Sequence, residues 1–278
     1  DCLSIEGLGR ETAVSLNKEF KNPRKNIDEL KVEDKNEIEG LKVDITAPDL
    51  CYRYIARAVK DVKIGPSPKW LTRRLKACGI RSINNIVDIT NYVMLEMGQP
   101  MHAFDINSIE GKHITVRRAK NGEKITTLDE QERNLDENDI VISDDKKAVA
   151  IAGVMGGLNS EITEKTNTVV FESAVFNGGN IRKTAKKVGL RTESSSRFEK
   201  GLSSENALRA INRAVELVEL LKVGKAIDGK IDVYPTKQKI NKIPLEFERI
   251  NNLLGIKLSK QVVIDILEKL DIEVENDM

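Results

Sequence analysis

Hydrophobic side chains recur at helical spacing in several separate stretches of the chain, and these stretches predict its helices. Capping residues mark some of the helix ends: Ser4 and Ser67 precede two of them, and Gly79 and Gly189 follow two. The predicted helices are residues 4–20, 68–78, about 180–188, about 204–222 with Ser204 as its cap, 250–254, and a last helix capped by Ser259.

Shorter apolar stretches, separated by turn residues, predict the strands. The predicted strands are 43–45, 51–55, 113–116, 124–127, 140–143, 148–152, 168–171, one near 243, and 272–274. Helices and strands do not alternate regularly along the chain. This order predicts an α+β fold with a mixed sheet and packed helices.

Two polar stretches divide the chain into three parts. The predicted division is 1–20, a connector at 21–42, a main domain at 43–222, a linker at 223–242, and a small unit at 243–278. The last unit is too short to bury a stable core alone, so we expect it to be incomplete or to lean on its neighbour. Because the chain begins with Asp1 rather than Met, we expect a fragment of a longer protein.

Composition excludes several classes of protein. With 40% hydrophobic and 32% charged residues, the chain suits a folded domain. Its 45 Lys and Arg residues nearly balance 44 Asp and Glu, which argues against binding nucleic acid through overall charge. A local basic face remains compatible with this balance. The three cysteines, Cys2, Cys51 and Cys78, are far apart, so we expect free thiols in a reducing cytoplasm and no metal site. No apolar run approaches the ~20 residues that span a bilayer, so no membrane contact is expected.

The stretch from Arg81 to Asp105 places short amide and hydroxyl side chains among apolar ones. Buried polar groups need hydrogen-bond partners, so this mixture predicts the wall of a polar pocket. Helix capping and turns are the alternative, and residue types alone favour that simpler interpretation. His102 follows the turn signal Gly98-Gln99-Pro100 and is expected on a loop, although a lone histidine is usually structural.

Three further motifs could carry chemistry. Residues 152–157 (AGVMGG) follow an apolar strand, and their glycines suit either a ligand-contacting loop or a tight hairpin. Glu172 comes directly after the predicted strand 168–171, where it could bind a hydroxyl or assist proton transfer, although a surface glutamate is commoner. Residues 189–201 mix cations with hydroxyls, which suits a phosphate-binding loop or a solvated turn.

Taken together, these motifs resemble one family. The β subunit of bacterial phenylalanyl-tRNA synthetase carries, in its tandem B3/B4 domain, motifs similar to GIRSINNIVDITNYVMLEMGQPMHAFD (79–105), AIAGVMGG (150–157), FESAVF (171–176) and IRKTAKKVGLRTESSSRFEKG (181–201). The opening DCLSIEGLGRE resembles the end of the family's B1 domain, and residues 243–275 resemble the first part of its B5 domain, a winged-helix-like unit. The likeness therefore covers nearly the whole chain.

The resemblance implies an editing site that hydrolyses mischarged Tyr-tRNA(Phe). Glu172 would recognise the tyrosine hydroxyl, while Ala152, Gly153 and Gly156 would line the ring. The groups around the ester and terminal adenosine would be Arg81, Thr90, Asn91 and His102. Thr192 and Ser194 would lie at the pocket entrance, where Ser194 departs from the family's usual alanine. None of these residues is typical of a covalent nucleophile, so we expect a positioned water to attack the ester.

The resemblance also implies partners. They are an α subunit in an α2β2 enzyme, and tRNA(Phe). ATP and Mg²⁺ would bind elsewhere in that holoenzyme, with no cofactor in this fragment. Two alternatives stay open: a non-catalytic module that binds tRNA or the α subunit, and a freestanding deacylase, against which the B1-like and B5-like ends argue.

Overall fold

The computed structural model describes residues 3–22, 24–28, 30–235, 237 and 240–275, so Cys2 lies outside the described part. Its helices are α1 (Ile5–Ser15), α2 (Lys25–Asp28), α3 (Lys69–Ala77), α4 (Asn85–Met97), α5 (Gly178–Lys187), α6 (Glu193–Phe198), α7 (Ser204–Leu220), α8 (Phe247–Leu254) and α9 (Lys260–Lys269). Its strands are β1 (Lys42–Ile45), β2 (Cys51–Lys60), β3 (Met101–Asp105), β4 (His113–Arg118), β5 (Glu123–Thr126), β6 (Glu132–Leu135), β7 (Ile140–Ser143), β8 (Ala148–Ile151), β9 (Met155–Gly156), β10 (Val169–Phe176), β11 (Lys225–Ala226) and β12 (Ile231–Val233).

An antiparallel sheet in the order β11-β2-β10-β3 lies at the centre, with β12 also paired to β2. One face packs against α3, α4 and α7, where Ile55, Phe171 and Leu71 belong to a shared apolar core. The other face packs against a second sheet, β1-β4-β7-β8-β9, through residues such as Tyr54 and Val116. The domain therefore has three layers, a helix layer and two sheets.

The second sheet is mixed, because β1 and β4 are parallel while its other pairs are antiparallel. The hairpin β5–β6 is a separate two-stranded sheet. Mixed strands with helices packed on one side confirm the predicted α+β fold class.

Strand β10 determines the position of the site. Side chains alternate along a strand, so Val170, Glu172 and Ala174 point toward the second sheet while Phe171 and Val175 point toward the helices. All eight residues of β10 are buried. Glu172 thus lies in the middle of a strand between two sheets, so the predicted strand end before Glu172 and the surface alternative are both wrong.

The helix ends match the sequence signals in part. Ser4 caps α1 as predicted, but the helix ends at Ser15. Pro68, not Ser67, occupies the cap position of α3, and the Ser67 hydroxyl donates to Asp88 at 2.6 Å. Gly79 and Gly189 adopt the left-handed conformation that ends helices, at φ +80° and +66°. Ser204 lies inside α7, which begins after Ser203.

Other elements were not predicted. The proposed loop at 189–201 contains α6, which is fixed by a reciprocal capping box between Thr192 and Ser195. The proposed linker at 223–242 begins with β11 and β12, which pair with β2, so its first part belongs to the central sheet. Strands β3, β6 and β9 were also missed, and residues 272–274 are not a strand.

The last unit exposes much of its apolar surface. Val263 is the one buried residue of α8 and α9, and Leu253 is 86% exposed. Polar contacts join this unit to α1, including an ion pair between Arg10 and Asp271 at 3.1 Å. The predicted boundaries of the B1-like and B5-like parts stay predictions.

Candidate active site

A cavity of about 70 Å³ lies where β3, β8, β10 and α6 meet. Five of the ten predicted site residues line it: His102, Gly153, Gly156, Glu172 and Ser194. Residues that are far apart in the sequence therefore converge on one space between the two sheets.

Glu172 and His102 face each other across neighbouring strands. The register pairs Glu172 on β10 directly with His102 on β3. Side chains of directly opposed residues in antiparallel strands lie on the same face, with Cβ atoms about 5 Å apart. His102 is therefore on a strand, and the expectation that it lies on a loop is wrong.

The Glu172 carboxyl is enclosed by protein, and burial raises its pKa to about 8. The hydroxyl of Tyr54 donates to Glu172 Oε2 at 3.2 Å, which opposes this rise only in part. Glu172 is therefore largely protonated at pH 7. A neutral carboxyl can both donate and accept a hydrogen bond, which matches the two capacities of a phenol hydroxyl.

His102 has the opposite shift. Its side chain is partly accessible as a whole, but Nε2 is buried and has no hydrogen-bond partner among the described residues. Burial lowers the pKa of His102 to about 4, so the ring is neutral at pH 7. A buried, unpaired ring nitrogen costs free energy, so it favours a ligand or water that supplies the missing bond.

Two glycines make room in this wall. Gly153 has φ +68°, and an added Cβ would lie 3.0 Å from Ile181 Cδ1. At Gly156 an added Cβ would lie 2.5 Å from His102 Cε1, so only glycine allows the imidazole its observed position. Ala152 is fully buried beside this turn but does not line the cavity.

Helix α6 closes the cavity from the other side. Thr192 caps the helix and donates through its hydroxyl to the Val154 carbonyl at 2.9 Å, which ties α6 to the glycine turn. Ser194 lines the cavity, and its Oγ lies 4.0 Å from the sulfur of Met94 on α4. Thr192 therefore supports the site without lining it.

Three predicted catalytic residues do not line the cavity. Arg81 is exposed in the segment between α3 and α4. Thr90 is buried, and its hydroxyl donates to the Val87 carbonyl of its own helix at 2.8 Å. Asn91 is half-buried on α4, one turn before Met94. Of the predicted catalytic residues, His102 therefore lines the cavity, while the other three lie on α4 or in the segment just before it.

Sequence inspection missed Tyr54. It is fully buried on β2 and is the hydrogen-bonding partner of Glu172. A tyrosine inside an apolar strand signals a buried hydroxyl that needs a partner, but it does not identify that partner. Phe198, also on the cavity wall, was not among the predicted site residues either.

Metal-binding clusters and membrane-spanning helices are both absent from the part of the chain that the structure describes. Within those residues, no group of three or more His, Cys, Asp or Glu side chains could hold a metal ion. None of the helices described is both long and apolar enough to cross a membrane.

Residues 50–222 match the model of the B3/4 domain family. The chain therefore belongs to the B3/4 domain family. It is 48% identical over 275 residues to the phenylalanine–tRNA ligase β subunit of Clostridium acetobutylicum, and 50% identical over 278 residues to that of Moorella thermoacetica. These matches cover 99% and 100% of the chain but only 34% of each relative, so the chain spans about a third of their length.

Among solved structures, the chain is similar to an N-terminal fragment of the phenylalanyl-tRNA synthetase β subunit from Pyrococcus horikoshii. That match has a TM-score of 0.46 and 15% identity, and covers 99% of this chain and 74% of the other. The family resemblance drawn from the sequence motifs is confirmed by the domain model and the curated relatives.

Proposed function

We propose that the cavity hydrolyses the aminoacyl ester of mischarged Tyr-tRNA(Phe). The observation that carries the proposal is the buried, largely protonated Glu172 facing the unpaired Nε2 of His102 across one small cavity. The carboxyl would receive the tyrosine hydroxyl, and the cavity walls would hold the ring.

This arrangement explains a preference for tyrosine over phenylalanine. A phenylalanine ring would displace solvent from Glu172 without offering a hydroxyl in return. Leaving a buried polar group unpaired costs about 1–3 kcal/mol, which corresponds to roughly 5- to 150-fold discrimination. A site that demands a hydroxyl can therefore select the residue that a purely apolar pocket rejects only weakly.

The chemistry fits an oriented water better than a strong protein base. With a pKa of about 4, His102 is too weakly basic to hold a proton at neutral pH, but its Nε2 can accept a hydrogen bond from water. A ribose hydroxyl of the RNA would then help move the proton. The ester and adenosine would be contacted, where they leave the cavity, by Arg81, Thr90 and Asn91. The ring contacts and the cavity entrance would be formed or supported by Ala152, Gly153, Gly156, Thr192 and Ser194.

The proposal requires the cavity to widen on binding. About 70 Å³ is smaller than the roughly 150 Å³ of an engineered cavity that binds benzene. Met155 and Ser194 lie on its wall and are only partly buried, so they are the side chains that can move aside.

For the whole protein, we propose the β subunit of a phenylalanine–tRNA ligase that works in the cytoplasm. It would pair with an α subunit as α2β2 and act on tRNA(Phe), with ATP and Mg²⁺ used outside this fragment. A non-catalytic tRNA- or α-subunit-binding module is the second candidate, favoured by the positions of Arg81, Thr90 and Asn91 away from the cavity.

The test uses the full-length protein with its partner subunit and preformed Tyr-tRNA(Phe). Glu172→Ala and His102→Ala should slow release of tyrosine, with Phe-tRNA(Phe) as the substrate control. Glu164→Ala removes an exposed glutamate, and His113→Ala removes a partly exposed histidine that contacts Asp44 and Asp145 outside the cavity; both should leave hydrolysis unchanged. Unchanged hydrolysis in the Glu172/His102 double variant would favour the non-catalytic module.

A further inference from the structure

A second cavity, of about 530 Å³, lies between α5 and the two short segments that flank α6. Four cationic side chains line it, Arg182, Lys186, Arg191 and Lys200, with Glu199 as the single carboxylate. We call this feature the basic groove. Its volume lies within the usual range of ligand sites.

Two of the four groove cations lie on α5. Arg182 and Lys186 stand one helical turn apart, both exposed, and α5 contains no acidic residue. Like charges at this spacing repel each other and weaken a helix. Lys187 on the same helix differs, because it forms ion pairs with Asp136 and Asp139. In a chain with a net charge of only +1, the groove is a local excess of positive charge.

The groove is joined to the candidate active site through α6. Ser194 and Phe198 line the small cavity, while Arg191, Glu199 and Lys200 line the groove. Arg191 and Ser194 are three residues apart, so their Cα atoms lie within about 11 Å of each other. One short single-stranded segment can therefore reach from the cavity to the groove.

We propose that the basic groove binds the phosphodiester backbone of the single-stranded 3′ end of an RNA whose terminal ester enters the cavity. The inference rests on the proposed function for its substrate and adds the surface that holds the RNA. Arg191 keeps its ion pair with Glu199 at 2.9 Å and frames the groove, while Arg182 and Lys186 meet the phosphates. Cationic side chains without base-reading geometry suit backbone contacts, which position a nucleic acid without reading its sequence.

The test compares two charge reversals in the full-length protein with its partner subunit. Arg182→Glu/Lys186→Glu alters the groove. Lys60→Glu/Lys63→Glu is the control. It reverses the charge of two exposed lysines near the C-terminal end of β2, which is the end farther from α5. Each is assayed on preformed Tyr-tRNA(Phe) and on 3′-O-tyrosyl-adenosine, which keeps the ester and adenosine but has no phosphate.

The groove variant should raise KM for the tRNA substrate, leave kcat unchanged, and hydrolyse tyrosyl-adenosine normally. Raising the salt from about 50 to 200 mM should increase KM for both proteins. If the variant has lost two phosphate contacts, its increase should be about 7- to 12-fold smaller than that of the unaltered protein. Equal KM values for the two reversals, or equal loss on tyrosyl-adenosine, would overturn the proposal.

Failure of the proposed function is separately visible. If the unaltered protein hydrolyses neither substrate, the active-site proposal fails and the groove is judged by binding alone. Fluorescence anisotropy with labelled uncharged tRNA should then show weaker binding for the groove variant than for the Lys60/Lys63 variant. Equal affinity for both would refute the groove.

Discussion

Replacing Glu172 with glutamine removes the ionisable group from the cavity while keeping its size and its hydrogen bond with Tyr54. We expect this substitution to change how the stability of the protein depends on pH. In the folded protein, burial raises the pKa of Glu172 to about 8, while the exposed carboxyl of the unfolded chain has a value near 4.5. Between these two values, the unfolded chain ionises and the folded protein stays protonated.

The sign follows from proton linkage. The folded state binds more protons from about pH 4.5 to 8, so the stabilising effect of the neutral carboxyl is complete below pH 4.5 and is lost as pH rises to 8. Each pH unit in this window costs about 1.4 kcal/mol. From pH 5 to pH 8 the wild type should therefore lose roughly 3–4 kcal/mol relative to the glutamine variant, which cannot ionise.

Urea unfolding at pH 5, 6, 7 and 8 measures this difference in unfolding free energy. Glu123→Gln is the control, because hydrogen bonds from Arg117 hold the pKa of Glu123 below its usual value. The stability that ionised Glu123 contributes is present above its unfolded pKa and is lost only in acid. The difference in unfolding free energy between Glu123→Gln and the wild type should therefore stay nearly constant from pH 5 to pH 8. A flat difference for Glu172→Gln as well would mean that Glu172 is already ionised in the folded protein.

Three further substitutions test the cavity wall. Tyr54→Phe should leave Glu172 Oε2 unpaired, which costs about 1–3 kcal/mol in urea unfolding at pH 6 and lowers the preference for Tyr-tRNA over Phe-tRNA; wild-type selectivity would contradict a role in holding the carboxyl. Gly156→Ala should displace His102 and reduce hydrolysis to the level of His102→Ala; full activity would show that the ring position is unimportant. Gly153→Ala forces a side chain to φ +68° and should destabilise the protein by about 1–2 kcal/mol, measured by thermal unfolding, and an unchanged Tm would contradict this strain.

The sequence predicted several helix ends correctly, because helix capping depends on residues close together in the chain. Ser4 and Gly79 lie at the helix ends that their types favour, because capping needs only neighbouring backbone. The polar stretch after Arg81 was also explained in part by capping, since Asn84 accepts hydrogen bonds from two backbone amides at the start of α4. The pocket interpretation stays a prediction for the amides and hydroxyls of this stretch, because only Pro100, Met101 and His102 from it line the cavity.

Elements that depend on distant partners were predicted poorly. The Gly-Gln-Pro turn before His102 predicts a loop, yet pairing with β10 makes residues 101–105 a strand. The two short strands β11 and β12 lie in the predicted linker, where Gly224, Gly229 and Pro235 among lysines favour a loop, and they form by pairing with β2. Such pairing supplies hydrogen bonds that no local pattern records.

Glu172 separates the two sources of information most clearly. The sequence by itself determined that a carboxylate stands among apolar, strand-forming residues, and that glycines and a histidine occur in nearby motifs. Only the tertiary structure decided that this carboxylate faces a second sheet, lies opposite His102 and meets Tyr54. Both faces of β10 are covered, so its sequence shows no polar alternation to mark which face would enclose Glu172. The raised pKa depends on burial between layers that come from separate parts of the chain.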